Sequence, residues 1–371
     1  MPHLFTPWQL DGLQLANRIV VAPMCQYSAV EGNATDWHLL HLGHLALSGA
    51  GLLVLEASAV SAQGRISPQD LGLYSDANEA ALARVLQAVR AHSPIGVAIQ
   101  LSHAGRKGSS RAPWDGGVQI PAGAPDGWQT VAPSAWPHAA GEDAPLALDQ
   151  RGLAQVRDDF AAAARRAARL GFDGIELHAA HGYLLHQFLS PLANRREDAY
   201  GGSLDNRMRF PLEVFDAVRA AFPAGKPVWV RVSATDWVDG GWDPDSTLRF
   251  AQALQARGCA AVHVSTGGVS PAQKIPLGPG YQVPFAQRVK EVTGLPTIAV
   301  GMITEPQQAE AIVAQGQADA VALARAMLYD PRWPWHAAAL LGAHVTAPRQ
   351  YWRSQPREHK DLFQGAHFGQ R

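Results

Sequence analysis

The chain has 371 residues, 47% hydrophobic and 17% charged, with a formal net charge of -1, so it can bury a large core and carries no general attraction to nucleic acid or anionic membranes. The opening MPHLFTPWQLDGLQLANR has no basic segment followed by an apolar run, and the most apolar stretches, IVVAPM and GLLVLEASAV, are too short to span a bilayer. Cys25 and Cys259 are the two cysteines, too few for a disulfide framework, and a cytoplasmic, reduced protein is expected.

Along the chain, short apolar runs predict strands at Arg18–Pro23, Gly51–Glu56, Gly96–Leu101, Gly174–His178, Val228–Val232, Ala261–Ser265, Thr297–Val300 and Ala320–Ala324. None shows strict polar alternation, which is the pattern of strands covered on both faces. Amphipathic segments between them predict helices, among them Asn78–Ala91, Asp149–Leu170, Ser203–Phe222, Ser246–Arg257 and Glu305–Gln315. The alternation predicts one α/β domain over residues 1–371, a (β/α)8 TIM barrel. A Rossmann sheet ranks below it, because Gly49, Gly51 and Gly72 form no G-x-G-x-x-G at a strand-to-helix turn. Two segments exceed what a barrel needs. An insertion over about 104–148, rich in Gly, Pro, Trp and Ser, follows strand three and is expected to wall the C-terminal face. A C-terminal tail over about 342–371 carries Gln350-Tyr351-Trp352-Arg353, aromatic enough to dock somewhere, on a second subunit for example.

The fourth strand runs into AAHGYLLHQFLSP and sets His178, His181 and Tyr183 at its C-terminal end, where barrel enzymes keep their chemistry. Two neutral imidazoles can donate to one carbonyl or phenolate oxygen, and a phenol suits protonation of a basic carbon. Such residues can also be satisfied core groups, and the His pair can ligate a metal. A catalytic zinc, however, wants three protein ligands, and the pair has no evident third anchor, although Glu176 lies on the same side of the strand as His178. His186 is expected to be structural.

The loops after strands seven and eight, VGMIT and ARAMLYD, offer Gly301 and Arg325 to a phosphate, and Gly267 and Gly268 extend a permissive rim. Gln100 and Arg231 lie inside strands three and five, where a buried amide and cation need partners. A flat heteroaromatic ring with alternating donors and acceptors, such as a flavin, satisfies both. Ion pairing is the competing account for Arg231 and for Arg325.

The block HAAHGYLLHQFLSPLANRREDAYGGSLDNRMRF, with LANRIVVAPMCQYS near the N-terminus, resembles the Old Yellow Enzyme family of FMN-dependent ene-reductases over essentially the whole chain. The Cys and Tyr of the second motif resemble the thermophilic-like, xenobiotic-reductase branch. Other branches carry Thr in place of Cys25 and Asn in place of His181, and some relatives with the cysteine carry Trp where Met302 stands. The resemblance implies non-covalent FMN lined by Pro23, Met24, Cys25, Ala57, Gln100, Arg231, Gly301, Met302, Ala324 and Arg325, with NADPH or NADH as reductant and no metal. It implies that His178 and His181 hold the substrate's electron-withdrawing group, that Tyr183 donates the proton, and that Cys25 tunes the flavin. Tyr27 would help hold substrate, and Trp352 or Arg353 would enter a neighbour's site in a homodimer or dimer-based tetramer. The implied activity is NAD(P)H-dependent reduction of activated C=C bonds in small-molecule enones and related nitro compounds. A metal-dependent hydrolase or lyase using His178 and His181 is the alternative, and a barrel kept as a ligand-binding scaffold is a third.

Overall fold

The computed structural model describes residues 1–367. The apolar runs form β1 (Ile19–Val21), β2 (Leu52–Ala59), β3 (Gly96–Ser102), β4 (Gly174–Ala179), β5 (Val228–Ser233), β6 (Val262–Ser265), β7 (Thr297–Ala299) and β8 (Ala320–Leu323). Each pairs in parallel with its sequence neighbours, and β8 returns to β1, so the sheet closes into a barrel. Every residue of β2, β4 and β5 is buried, which explains the absence of polar alternation. The barrel expected from the alternation is therefore the barrel observed.

Around it lie α1 (Asp36–Ala46), α2 (Asp76–His92), α3 (Gln150–Arg169), α4 (Leu204–Ala221), α5 (Pro244–Gln255), α6 (Val283–Thr293), α7 (Pro306–Ala314) and α8 (Trp333–Leu341). Local chemistry starts several of them. Asp149 caps α3 by accepting from Gly152 N at 2.7 Å, and Asp243 caps α5 by accepting from Ser246 N at 2.7 Å. Gly294, with φ +71°, ends α6 in the left-handed conformation that a side chain would strain.

Register decides which residues meet inside. Gln100 pairs with Glu176, Glu176 with Trp229, His178 with Arg231, and Arg231 with His263. Register partners share a face, and positions i and i+2 of one strand do so too. Glu176 on β4 reaches Gln100 on β3, Trp229 on β5 and His263 on β6, and only the barrel interior allows that span. Trp229 fills the lower interior beneath this polar layer and is itself fully buried. A hairpin of Trp8–Leu10 and Leu13–Leu15 closes the N-terminal mouth, with Leu15 against Gly96 at the start of β3.

The insertion occupies the stretch between β3 and α3. It holds 3-10 turns at Gly105–Lys107 and Pro113–Asp115 and a small parallel ladder of Val131–Ala132 with Leu146–Ala147. The tail docks on its own chain at the other end of the barrel. Val345 N donates to Leu362 O, the Phe363 ring centroid lies 4.8 Å from that of Trp335, and Val345 and Thr346 press on Gly49 ahead of β2. Among the described residues no helix is long and apolar enough to cross a membrane.

A Cβ on Gly174 would sit 2.5 Å from the Trp229 ring, so the first residue of β4 must be glycine for the indole to fill the barrel floor. Gly174→Ala is expected to destabilise the fold by about 1–3 kcal/mol through overpacking, read as a lower urea midpoint.

Candidate active site

His178 is the penultimate residue of β4, with its Nδ1 accepting from Ala180 N at 3.2 Å. That bond places the ring proton on Nε2, leaving an N–H to donate. The chain then turns through His181, at φ +56°, and Gly182, at φ +76°. A left-handed histidine is costly unless neighbours enforce it. Here His181 N donates to Ser233 Oγ at 2.9 Å, and its Nε2 lies 2.8 Å from Ser265 Oγ. Tyr183 follows at the start of a short helix, Leu184–Leu189. The His178 ring stands edge-on to both neighbours, with centroids 5.1 Å from His181 and 4.9 Å from Tyr183.

Burial sets the protonation states. It holds both imidazoles well below the ordinary histidine range, with the Arg231 charge adding to the effect. It pushes the Tyr183 phenol well above 10, reinforced by Cys25 and Tyr27 nearby. The trio therefore consists of two neutral rings and one protonated acid.

The turn is braced by residues that the sequence reading did not single out. Lys107 Nζ donates to His181 O at 2.9 Å and to Gly268 O at 3.0 Å, and desolvation brings its pKa to about 8. Arg106 Nη2 donates to Val269 O at 2.8 Å. The Arg-Lys pair in the turn at Gly105–Lys107, shortly after β3, was the available signal. Gly268, expected as a permissive rim, has a sharper reason: its Cβ would sit 2.4 Å from His181 Cα. His186 is structural as expected, accepting from Gly182 N at 2.9 Å while its Nε2 faces Asp236 at 2.9 Å.

Beyond β1, Pro23, Met24, Cys25 and Tyr27 are partly buried, with Tyr27 at φ +50° and its ring 5.3 Å from Trp114 of the insertion. Glu56 holds this loop by accepting from Gln26 N at 2.9 Å. Burial, with Asp70 and Glu56 nearby, pushes the Cys25 thiol well up, so it is a thiol and not a thiolate. Ala57 lies beside it in β2, immediately after a register shift between Leu55 and Ala57.

A cavity of about 830 Å³ opens next to the trio, lined by Arg231, Ser265, Gly301, Met302, Ala324 and Arg325. The Arg231 and Arg325 guanidiniums make no hydrogen bond or ion pair among the described residues, and the buried Arg231 Nε has no partner. The ion pairs offered as alternatives for both are thus not formed. Gly301, at φ +122°, leaves space that a Cβ could not share with Gln282 Nε2, 2.7 Å away. A cavity with two unpaired cations and a bare backbone rim suits a ligand with an anionic group and a polar ring. Gln100 lies outside the lining but is joined to Arg231's surroundings through Glu176. Glu176 accepts from Gln100, Trp229 and His263 and does not complete a metal site with the His pair; no cluster of three His, Cys, Asp or Glu suited to a metal occurs among the described residues. Trp352 and Arg353 are not brought to the trio within the chain; Trp352 Nε1 donates to Ala347 O at 3.1 Å, in the tail's own dock.

The NADH:flavin oxidoreductase / NADH oxidase family model matches residues 3–342. The NADH:flavin oxidoreductase FG08077 of Gibberella zeae is 43% identical over 94% of this chain and 88% of its own length. The NADPH dehydrogenase of Geobacillus thermodenitrificans is 41% identical over 94% of this chain and 98% of its own. Morphinone reductase, solved in complex with tetrahydroNAD, superposes with a TM-score of 0.76 at 31% identity, covering 94% of this chain and 93% of its own. With the barrel, the turn after β4 and the cationic cavity already in view, these matches agree on one conclusion: the chain belongs to the NADH:flavin oxidoreductase / NADH oxidase family, the Old Yellow Enzyme family.

Proposed function

We propose that the protein is an FMN-dependent NAD(P)H:ene-reductase of the thermophilic-like branch, acting on activated C=C bonds of α,β-unsaturated carbonyl and nitro compounds. The observation that carries this reading is a neutral imidazole pair and a protonated phenol in edge contact beside a cavity with two unpaired guanidiniums. Arg325, Gly301, Met302 and Ala324 would hold the phosphate end of FMN. Arg231 and Gln100 would meet its polar ring edge, with Pro23, Met24, Cys25 and Ala57 closing the other wall. Bound there, FMN would accept hydride from NADPH or NADH and pass it to the substrate.

The protein's own part is orientation and charge. His178 Nε2–H points a donor at the substrate oxygen, and His181 joins it when the Ser265 hydroxyl turns from Gln282 Oε1, 3.3 Å away, to donate to His181 Nε2, which puts the ring proton on Nδ1. Two donors aimed at one oxygen stabilise the negative charge that grows there as the β-carbon is reduced. Tyr183 Oη then gives its proton to the α-carbon. Tyr27 and Trp114 form an aromatic wall toward the insertion. Cys25, as a thiol, presents a weak polar group that would tune the flavin. Trp352 or Arg353 would complete a neighbouring copy's pocket in a homodimer or dimer-based tetramer, a reading supported by the tail's docking away from its own site.

Purified protein is expected to be yellow or to become so on reconstitution, and cyclohexenone should reoxidise the reduced form; a colourless chain that takes up no FMN overturns the reading. Tyr183→Phe should slow reduction of the enone by about 10²–10⁴-fold while flavin reduction by NAD(P)H stays within a few-fold. Stopped-flow measurement of the two half-reactions separates them, and equal losses would remove Tyr183 from the acid role. The pH profile follows from the directions of the shifts. With the imidazoles' pKa values depressed, lowering the pH through the ordinary histidine value of about 6.5 should not protonate them. With the phenol's raised, increasing it to about 9 should not ionise Tyr183. The trio itself should therefore give a flat enone half-reaction from about pH 6 to 9, and a change near pH 8 would report Lys107 behind the turn; a rise toward acid would show that an imidazolium is required.

A further inference from the structure

Glu176 takes no part in the chemistry above, yet its carboxylate accepts three side-chain hydrogen bonds inside the barrel. It lies two residues before His178, fully buried, and accepts from Gln100 Nε2 at 2.6 Å, Trp229 Nε1 at 2.6 Å and His263 Nδ1 at 2.7 Å. The three donors come from β3, β5 and β6, so the carboxylate ties together four consecutive strands. All three are neutral. Burial keeps the His263 pKa low, and its Nε2 has no partner among the described residues, which suits a lone pair better than an N–H. The negative charge therefore faces one cation, Arg231, across the layer. In a region this dry, a unit charge acts on its neighbours far more strongly than it would in water.

We propose that Glu176 is a positioning residue for the ring edge of the flavin, acting through Gln100 and Arg231. Its first effect is geometric. By taking the Gln100 N–H, it fixes which end of the amide faces away, so Gln100 offers its oxygen to a donor on the ligand. Its second effect is electrostatic. Arg231 alone would favour the reduced, anionic ring strongly; a fixed carboxylate behind it moderates that preference and keeps the potential low enough for hydride to leave. This rests on the reading of the cavity as an FMN site.

The test uses full-length protein reconstituted with FMN, its midpoint potential measured by spectroelectrochemistry and its FMN affinity by titration. Glu176→Gln preserves shape and removes the charge. It should favour reduced over oxidised FMN by about tenfold or more, raising the two-electron potential by about 30 mV. Arg231→Gln should shift it in the opposite direction. Glu176→Asp, which keeps the charge, should return the potential toward wild type, whereas a purely structural role would make Asp and Gln alike. A yellow Glu176→Gln protein with the wild-type potential overturns the proposal. Should that variant fail to fold, the double variant E176Q/R231Q, which removes both buried charges, is compared with R231Q alone. The proposal requires the double variant to have the higher potential, and equal values overturn it. A wild-type chain that binds no FMN overturns the cavity assignment instead, so the two failures are distinguishable.

Discussion

Two backbones meet where Gly182 of the β4 turn and Gly268 of the β6 loop press together, and the placement of the imidazoles follows from that contact. A Cβ on Gly182 would land 2.1 Å from Gly268 O. Because the chains are this close, the turn adopts a left-handed conformation at His181, a residue that seldom does so. The resulting main-chain groups then need partners. Ser233 takes the His181 N–H, and Lys107 takes the carbonyls of His181 and Gly268. The geometry of the trio is therefore set by main-chain packing first and by side-chain choice second.

The interior of the barrel shows the cost of such a site. An aliphatic filling would be the stable solution, yet the upper layers hold Gln100, Glu176, His178, Arg231 and His263. Most of this layer is satisfied internally through Glu176, while Arg231 is left without a partner. Leaving a buried cation unpaired costs several kcal/mol in principle, and a ligand that pairs with it recovers that cost on binding. The remainder of the core, from Trp229 on the floor to the aliphatic faces of the strands and helices, supplies the stability that tolerates the exception.

Much of this was legible in the sequence, because a parallel barrel advertises itself through uninterrupted apolar runs. Each expected strand lies within a few residues of its observed bounds, and the long helices were visible through their amphipathic patterns, as in α3 and α4. Helices α1, α6 and α8 were less evident. α1 carries three histidines among its apolar residues, α8 is almost entirely apolar, and neither presents a clear amphipathic stripe. His178, His181 and Tyr183 could be grouped because they are neighbours in sequence at a strand end. Lys107, Ser233, Ser265 and Gln282 could not, since what assembles them is the closure of the barrel. Glu176 was visible as sharing a side with His178, but only register showed that Gln100, Trp229 and His263 already occupy it.

The insertion's anchor has a consequence for how the pocket can diversify. Lys107 and Arg106 grip the carbonyls of His181, Gly268, Val269, Trp136 and Pro137, every one of them a main-chain oxygen. An acceptor of that kind survives any substitution that leaves the backbone path alone. The wall over the barrel mouth can thus exchange side chains around Tyr27 and Trp114, and with them the shapes it admits, without loosening its attachment. Recognition and anchorage are written in different parts of the chain's chemistry, and natural variation can act on the first while the second stays constant.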